Sequence, residues 1–117
     1  MSREYKLYLN DILTAIEKIE RYVQGLDYAQ FSNSDMVIDA TLRNFTIIGE
    51  AAKNIPDEIQ TKYSDVPWRA IGSFRNVLAH EYFRVDLEET WKIIHDRLPL
   101  LKIQIAEILK QENSTSQ

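Results

Sequence analysis

Tyr5-Lys6-Leu7-Tyr8-Leu9-Asn10-Asp11-Ile12-Leu13-Thr14-Ala15-Ile16-Glu17-Lys18-Ile19-Glu20-Arg21-Tyr22-Val23-Gln24-Gly25-Leu26 decides the fold class. Tyr5, Leu9, Ile12, Ile16, Ile19, Val23 and Leu26 fall alternately four and three residues apart. Residues at that spacing share one stripe of a helix, whereas a half-buried strand would alternate at every second residue. Gly25 and Asp27 mark the end of the segment.

The same period continues along the chain. After Ser32-Asn33-Ser34-Asp35, a cluster of residue types that cap helices, Ile38, Thr41, Phe45, Ile48, Ala52 and Ile55 form a second stripe, which Pro56 stops. Pro56-Asp57-Glu58 reads as the first turn of a short helix reaching about Tyr63, because proline is tolerated there and the carboxylates complement the macrodipole. Ser64-Asp65-Val66-Pro67 is the next break and a cap for a fourth helix from about Pro67 to Tyr82. Asp86 caps a fifth, striped by Leu87, Trp91, Ile94, Leu98, Leu101, Ile105 and Ile108. Pro99 lies inside that stripe, where a missing N–H and a crowded preceding turn predict a kink or a short break. A long coiled coil would show similar spacing, but the breaks at Gly25, Pro56 and Pro67 argue for short helices that pack within one domain or between two copies of it. The expected fold is all-α: an antiparallel bundle of four long helices plus one short helix, one domain over residues 1–110, with a polar, flexible tail over 111–117.

Composition bounds the function. The 117 residues carry a formal charge of −4, which argues against coating a long duplex, so DNA is not expected as a partner. There are no cysteines, which excludes a disulfide framework and thiolate metal sites and fits a reducing cytoplasm. The first residues have no apolar signal-peptide core, and no run approaches the length of a membrane helix. No Gly-rich phosphate loop, no His/Asp/Glu cluster at metal-ligand spacing and no Ser-His-Asp arrangement stands out, so neither a cofactor nor a metal is expected.

Two histidines, His80 and His95, bound any histidine chemistry. On a wheel of the fourth helix at about 100° per residue, Ala70, Ile71, Phe74, Val77 and Leu78 make the apolar arc. Arg75 lies near its centre, with Tyr82 almost directly beneath. An arginine there snorkels, pairs with a carboxylate such as Glu50, or faces a wet crevice between two copies of the chain. His80 is about 140° away from it. The two meet only if the helix ends near His80 or if two copies bring these helices together about a two-fold axis. Asn76, one turn before His80, either orients the ring, binds a phosphate oxygen or sits in water. His95 reads as structural, and Tyr82 as a half-buried aromatic with a polar tip. Arg43, Lys53, Arg69 and Arg84 are the sources of local positive charge, each also readable as ordinary solvated surface.

Arg75-x4-His80-x-Tyr82 in a small helical domain resembles the signature of the HEPN superfamily. The chain is more closely similar to the HepT toxins of the HepT–MntA systems. Ile48-Gly49-Glu50-Ala51-Ala52-Lys53, Val66-Pro67-Trp68-Arg69-Ala70-Ile71, Arg75-Asn76-Val77-Leu78-Ala79-His80-Glu81-Tyr82-Phe83 and Asp86-Leu87-Glu88-Glu89-Thr90-Trp91 resemble blocks of that family, in order, over about residues 3 to 110. The resemblance implies a homodimeric, metal-independent, RNA-cleaving toxin with Arg75 and His80 of both subunits in a cleft between them. Asn76 and Glu50 would be supporting residues. It also implies that an MntA-like nucleotidyltransferase silences the toxin by adding AMP to Tyr82. The alternative from another class is a non-catalytic helical module that binds a nucleotide or a partner.

Overall fold

In the computed structural model, which describes residues 4–75 and 86–115, the opening stripe becomes helix α1 (Tyr5–Val23). Leu9, Ile12, Ala15, Ile16, Ile19 and Val23 are buried along it. An isolated helix of this length is marginal in water, and burying each such side chain fully contributes roughly 1.5–3 kcal/mol, so packing rather than propensity holds it. Gln24 follows the last turn, and Gly25 takes φ 77°, a left-handed conformation that reverses the chain without a Cβ penalty.

Next comes a helix outside the sequence expectation. The short α2 (Tyr28–Ser32) is closed by a reciprocal capping box: the Gln30 N–H donates to Asp27 Oδ1 at 2.8 Å, and the Asp27 N–H donates to Gln30 Oε1 at 2.9 Å. The Asp27-x-x-Gln30 spacing was legible, but the helix is too short to show a period. Its reward is Phe31, fully buried.

Helix α3 (Asp35–Lys53) starts at Ser34, whose hydroxyl accepts from the Val37 N–H at 3.3 Å, within the cap cluster expected. Thr41, Phe45, Ile48, Ala52 and Ile55 of its stripe are buried, while Ile38 is half-buried. Two polar groups go down with them. Asn44 donates through Nδ2 to the Ala40 carbonyl at 2.8 Å, but among the described residues Asn44 Oδ1 and Thr41 Oγ1 have no partner. Such atoms each cost about 1–3 kcal/mol, which the surrounding apolar packing offsets.

The short α4 (Asp57–Lys62) follows Pro56 with Asp57 and Glu58 in its first turn. The expected fourth helix begins as α5 (Trp68–Gly72) and tightens into a 3-10 turn over Ser73–Arg75. Pro67 stands at its N-terminus with no side-chain cap, so Ser64 and Asp65 do not cap it as expected. The remainder of that expected helix lies outside the described residues. The fifth helix is broken in two: α6 (Leu87–Asp96) and α7 (Leu98–Thr115) meet at Arg97. Pro99 falls in the first turn of α7, where its missing N–H is not needed, which is the short break its position predicted.

α3 packs against α1, α5 and the 3-10 turn, and α7 packs against α1 and α6. α1 and α7 run antiparallel, since Tyr5 meets Glu112 and Glu20 meets Lys102. The core joins Leu9, Ile16 and Ile19 to Ile48, Ile71, Leu98 and Ile105, an all-α arrangement as expected. Among the described residues, no helix is long and apolar enough to cross a membrane.

The domain does not stop at Lys110. Residues 111–117 were expected as a polar tail, yet α7 runs to Thr115 and Glu112 is buried. Its carboxylate accepts from Tyr5 Oη at 2.6 Å, Tyr63 Oη at 2.5 Å and Lys62 Nζ at 2.8 Å. One acid thus ties the start of α1 and the end of α4 to the end of α7.

Candidate functional site

α3 and α5 build the platform that carries the start of the motif. Trp68 is buried and its indole N–H donates to the Tyr63 carbonyl at 3.0 Å, which anchors the entry to α5. Ile71 enters the core, and Phe74 meets Phe45 of α3 edge-on, with ring centroids 5.2 Å apart. Ser73 donates to the Ala70 carbonyl at 2.6 Å. Arg75 closes the 3-10 turn, so its backbone is positioned by α3 and α5 together.

Asn76, His80 and Tyr82 lie outside the described residues, as does Arg84. Glu50 is exposed on α3. The segment re-enters the described fold at Asp86, whose side chain accepts from the Glu89 N–H at 3.0 Å while its carbonyl accepts from Thr90 Oγ1 at 2.9 Å. α6 is then seated by Trp91, whose ring lies 5.0 Å from that of Phe31 and 6.1 Å from that of Tyr28. The motif therefore connects two well-anchored points, Phe74 and Thr90.

His95 supports the structural reading. Its ring centroid lies 4.2 Å from that of Trp91 with the planes tilted by 51°, and its Nδ1–H donates to the Trp91 carbonyl at 2.9 Å. Beside it runs an open groove of about 710 Å³, lined by Glu17, Glu20, Arg21, His95 and Lys102 among others. Lys102 is paired with Glu20 at 2.9 Å, so the groove carries both signs of charge and no preference for an anion. A second groove, about 310 Å³, lies between α5 and α7 and is lined by Pro67, Ala70, Phe74, Leu100 and Leu101 among others. It is mainly apolar and adjoins the residue before Arg75. Leu100 and Ile103, on the outer face of α7, are 58% and 67% exposed.

Arg43, Lys53 and Arg69 are exposed, as their reading as local positive charge requires. Among the described residues, no three His, Asp or Glu side chains group as a metal site. The strongest perturbations of ionisation among the described residues are at the Glu112 cluster. Hydrogen bonds from Lys62, Tyr5 and Tyr63 hold the Glu112 carboxyl at about 2, and burial followed by the hydrogen bond to Glu112 pushes Tyr5 up to about 12. These groups join helix ends and line none of the grooves described above, so we assign them to stability.

A family model described as ribonuclease HepT-like matches residues 12–108. The chain is 36% identical over 110 residues to a protein of Thermococcus cleftensis named "Probable ribonuclease HepT", covering 94% of this chain and all of that one. It is 40% identical over 111 residues to a Methanocaldococcus jannaschii protein named "Gamma-glutamylcyclotransferase and putative RNase", covering 95% of this chain but half the length of that relative. No solved structure shows a significant match.

Proposed function

The chain belongs to the ribonuclease HepT-like family, and on that premise we propose that it is a metal-independent endoribonuclease whose active centre is built from Arg75 and His80. The observation that carries this reading is the family match across residues 12–108, which spans the whole Arg75-x4-His80-x-Tyr82 motif.

The residue types suit the reaction. RNA holds its own nucleophile in the 2′-hydroxyl. A bond forms from that oxygen to phosphorus while the bond from phosphorus to the 5′-oxygen breaks. One proton leaves the 2′-hydroxyl and one is delivered to the 5′-oxygen. A histidine titrating near neutrality serves either transfer, and the planar guanidinium of Arg75 donates two parallel N–H bonds to the phosphate oxygens as charge builds there. Asn76 and Glu50 are assigned supporting roles.

The active form in this reading is a homodimer in which both chains contribute an arginine and a histidine to one cleft. The groove between α5 and α7 supports it. A two-fold contact needs a patch that is complementary to itself, and this patch offers a hollow beside the exposed Leu100 and Ile103. Incubation of the purified protein with labelled single-stranded RNA or total tRNA tests the function. Cutting by a species of dimeric mass, equal with and without EDTA, is expected. Intact RNA in both conditions, or cutting that EDTA abolishes, would refute the reading.

Regulation follows from Tyr82, two residues beyond His80. We assign it as the acceptor of AMP from an MntA-like nucleotidyltransferase, which makes the pair a toxin and its antitoxin. AMP is bulky and anionic, so on Tyr82 it fills a small phosphate-binding cleft and occupies its arginine. Co-expression with such a partner is expected to raise the intact mass in AMP steps. No added mass, or additions retained in Tyr82→Phe, would refute this part alone.

A further inference from the structure

Lys53 is the last residue of α3 and its side chain is exposed. Its aliphatic stem does not wave free in water. A Cβ placed on Gly72 would meet Lys53 Cγ at 3.3 Å and Cε at 3.7 Å, so the stem lies along the bare backbone of α5 almost to its end. Glycine at this position leaves the room for it.

The position on α5 matters. Arg69, Gly72 and Arg75 follow one another at intervals of three residues, across the last turn of α5 and the 3-10 turn after it. In 3-10 geometry residues three apart eclipse one another, and in an α-helix they are neighbours on one face. The three backbone positions therefore make one row that ends at the start of the motif. The Lys53 stem meets that row at Gly72, the position between the two arginines.

Lys62 and Lys102 are each tied to a glutamate at 2.8 and 2.9 Å, whereas neither Lys53 nor Arg69 has an ion-pair partner among the described residues. A lysine at a helix C-terminus complements the macrodipole, but that role sets no direction for the stem. Seating the stem against a second helix does, and it costs side-chain entropy that a merely solvated lysine keeps.

We propose that Lys53 and Arg69 form a phosphate track that seats the RNA strand on the approach to Arg75. The proposal rests on the ribonuclease reading above. Each cation neutralises a backbone phosphate outside the reacting bond, so both are positioning residues. Recognition is of the sugar–phosphate strand, with no base readout.

Lys53→Met is the decisive variant, because methionine keeps the apolar stem over Gly72 and removes the charge. Binding of an uncleavable 2′-O-methyl RNA is measured from low to moderate salt. Lys53→Met is expected to weaken binding about three- to tenfold at low salt and to reduce the slope of log affinity against log salt by about 0.7. Adding Arg69→Gln should reduce it by about as much again. Lys53→Arg should restore it, and Lys92→Met on α6 should leave it in place. In cleavage assays the loss should fall on KM rather than kcat. A wild-type salt slope and KM in the Lys53→Met, Arg69→Gln double variant would overturn the track. Cutting retained with no Lys53 dependence sinks the track alone. A Lys53-dependent slope in a protein that cuts no RNA sinks the ribonuclease reading and leaves the track standing.

Discussion

His80→Ala is expected to lower the rate of RNA cleavage by about 10²–10⁴-fold, the range over which a positioned proton-transfer group accelerates a reaction. Two histidines occur in the chain, and His95 is already committed to the Trp91 ring and carbonyl. No second imidazole is in reserve. Arg75→Ala is expected to cost about 10²–10³-fold, because it removes the donors that meet the charge developing on phosphate. Arg75→Lys should recover little of this, since an ammonium cannot present the planar fork. The two residues serve one step, so the double variant should be little worse than the poorer single one. Rates measured at saturating RNA check this, with thermal melts confirming that each variant folds. Cutting that survives Arg75→Ala and His80→Ala together would place the active centre elsewhere.

The second large effect is on stability. Glu112→Ala is expected to destabilise the protein by roughly 2–3 kcal/mol, from the loss of charge-assisted hydrogen bonds to two phenols and a lysine. Glu112→Gln should cost less, because it keeps an acceptor. The acid dependence identifies the cause. The Glu112 carboxyl is lowered from its ordinary 4.5 to about 2, first by the bond from Lys62 and then by those from Tyr5 and Tyr63. The folded state therefore binds this proton more weakly than the unfolded chain does. Its stabilisation is fully present above pH 4.5 and is lost as pH falls through about 2. Tyr5 works in the opposite sense at the alkaline end. Raised from 10.0 to about 12, chiefly by burial and then by the bond to Glu112, it holds its proton more tightly when folded. That contribution is complete below pH 10 and fades as pH climbs towards 12. Thermal melts of wild type and Glu112→Ala should draw together as pH falls from 4.5 towards about 2. A constant gap between them down to pH 2 would show that packing, not the charged cluster, accounts for the difference.

Much of the fold was legible because helices announce themselves locally. The stripes of α1 and α3, the caps at Ser34 and Asp86, and the break near Pro99 all depend on neighbours within a turn or two. α2 escaped because five residues are too few to show a period, although its capping box was written in Asp27 and Gln30. The candidate site was legible as a motif. Arg75, Asn76, His80 and Tyr82 stand out by type and spacing, and their roles come from the resemblance rather than from geometry. Of these, the structure places only the backbone of Arg75, at the end of a turn held by Phe74 against Phe45.

What the amino-acid order alone determined was the helical character of the chain and the chemistry available to it. The tertiary structure decided which distant groups meet. Glu112 reads as part of a polar tail until α7 is laid against α1 and α4, where it faces Tyr5 and Tyr63 from 107 and 49 residues away. Lys53 reads as one surface cation among several until Gly72 is seen beneath its stem. The physical reason is the same in both cases. A helical period is encoded by side chains three and four apart, whereas a contact between helices depends on how every connection and every buried face is satisfied at once.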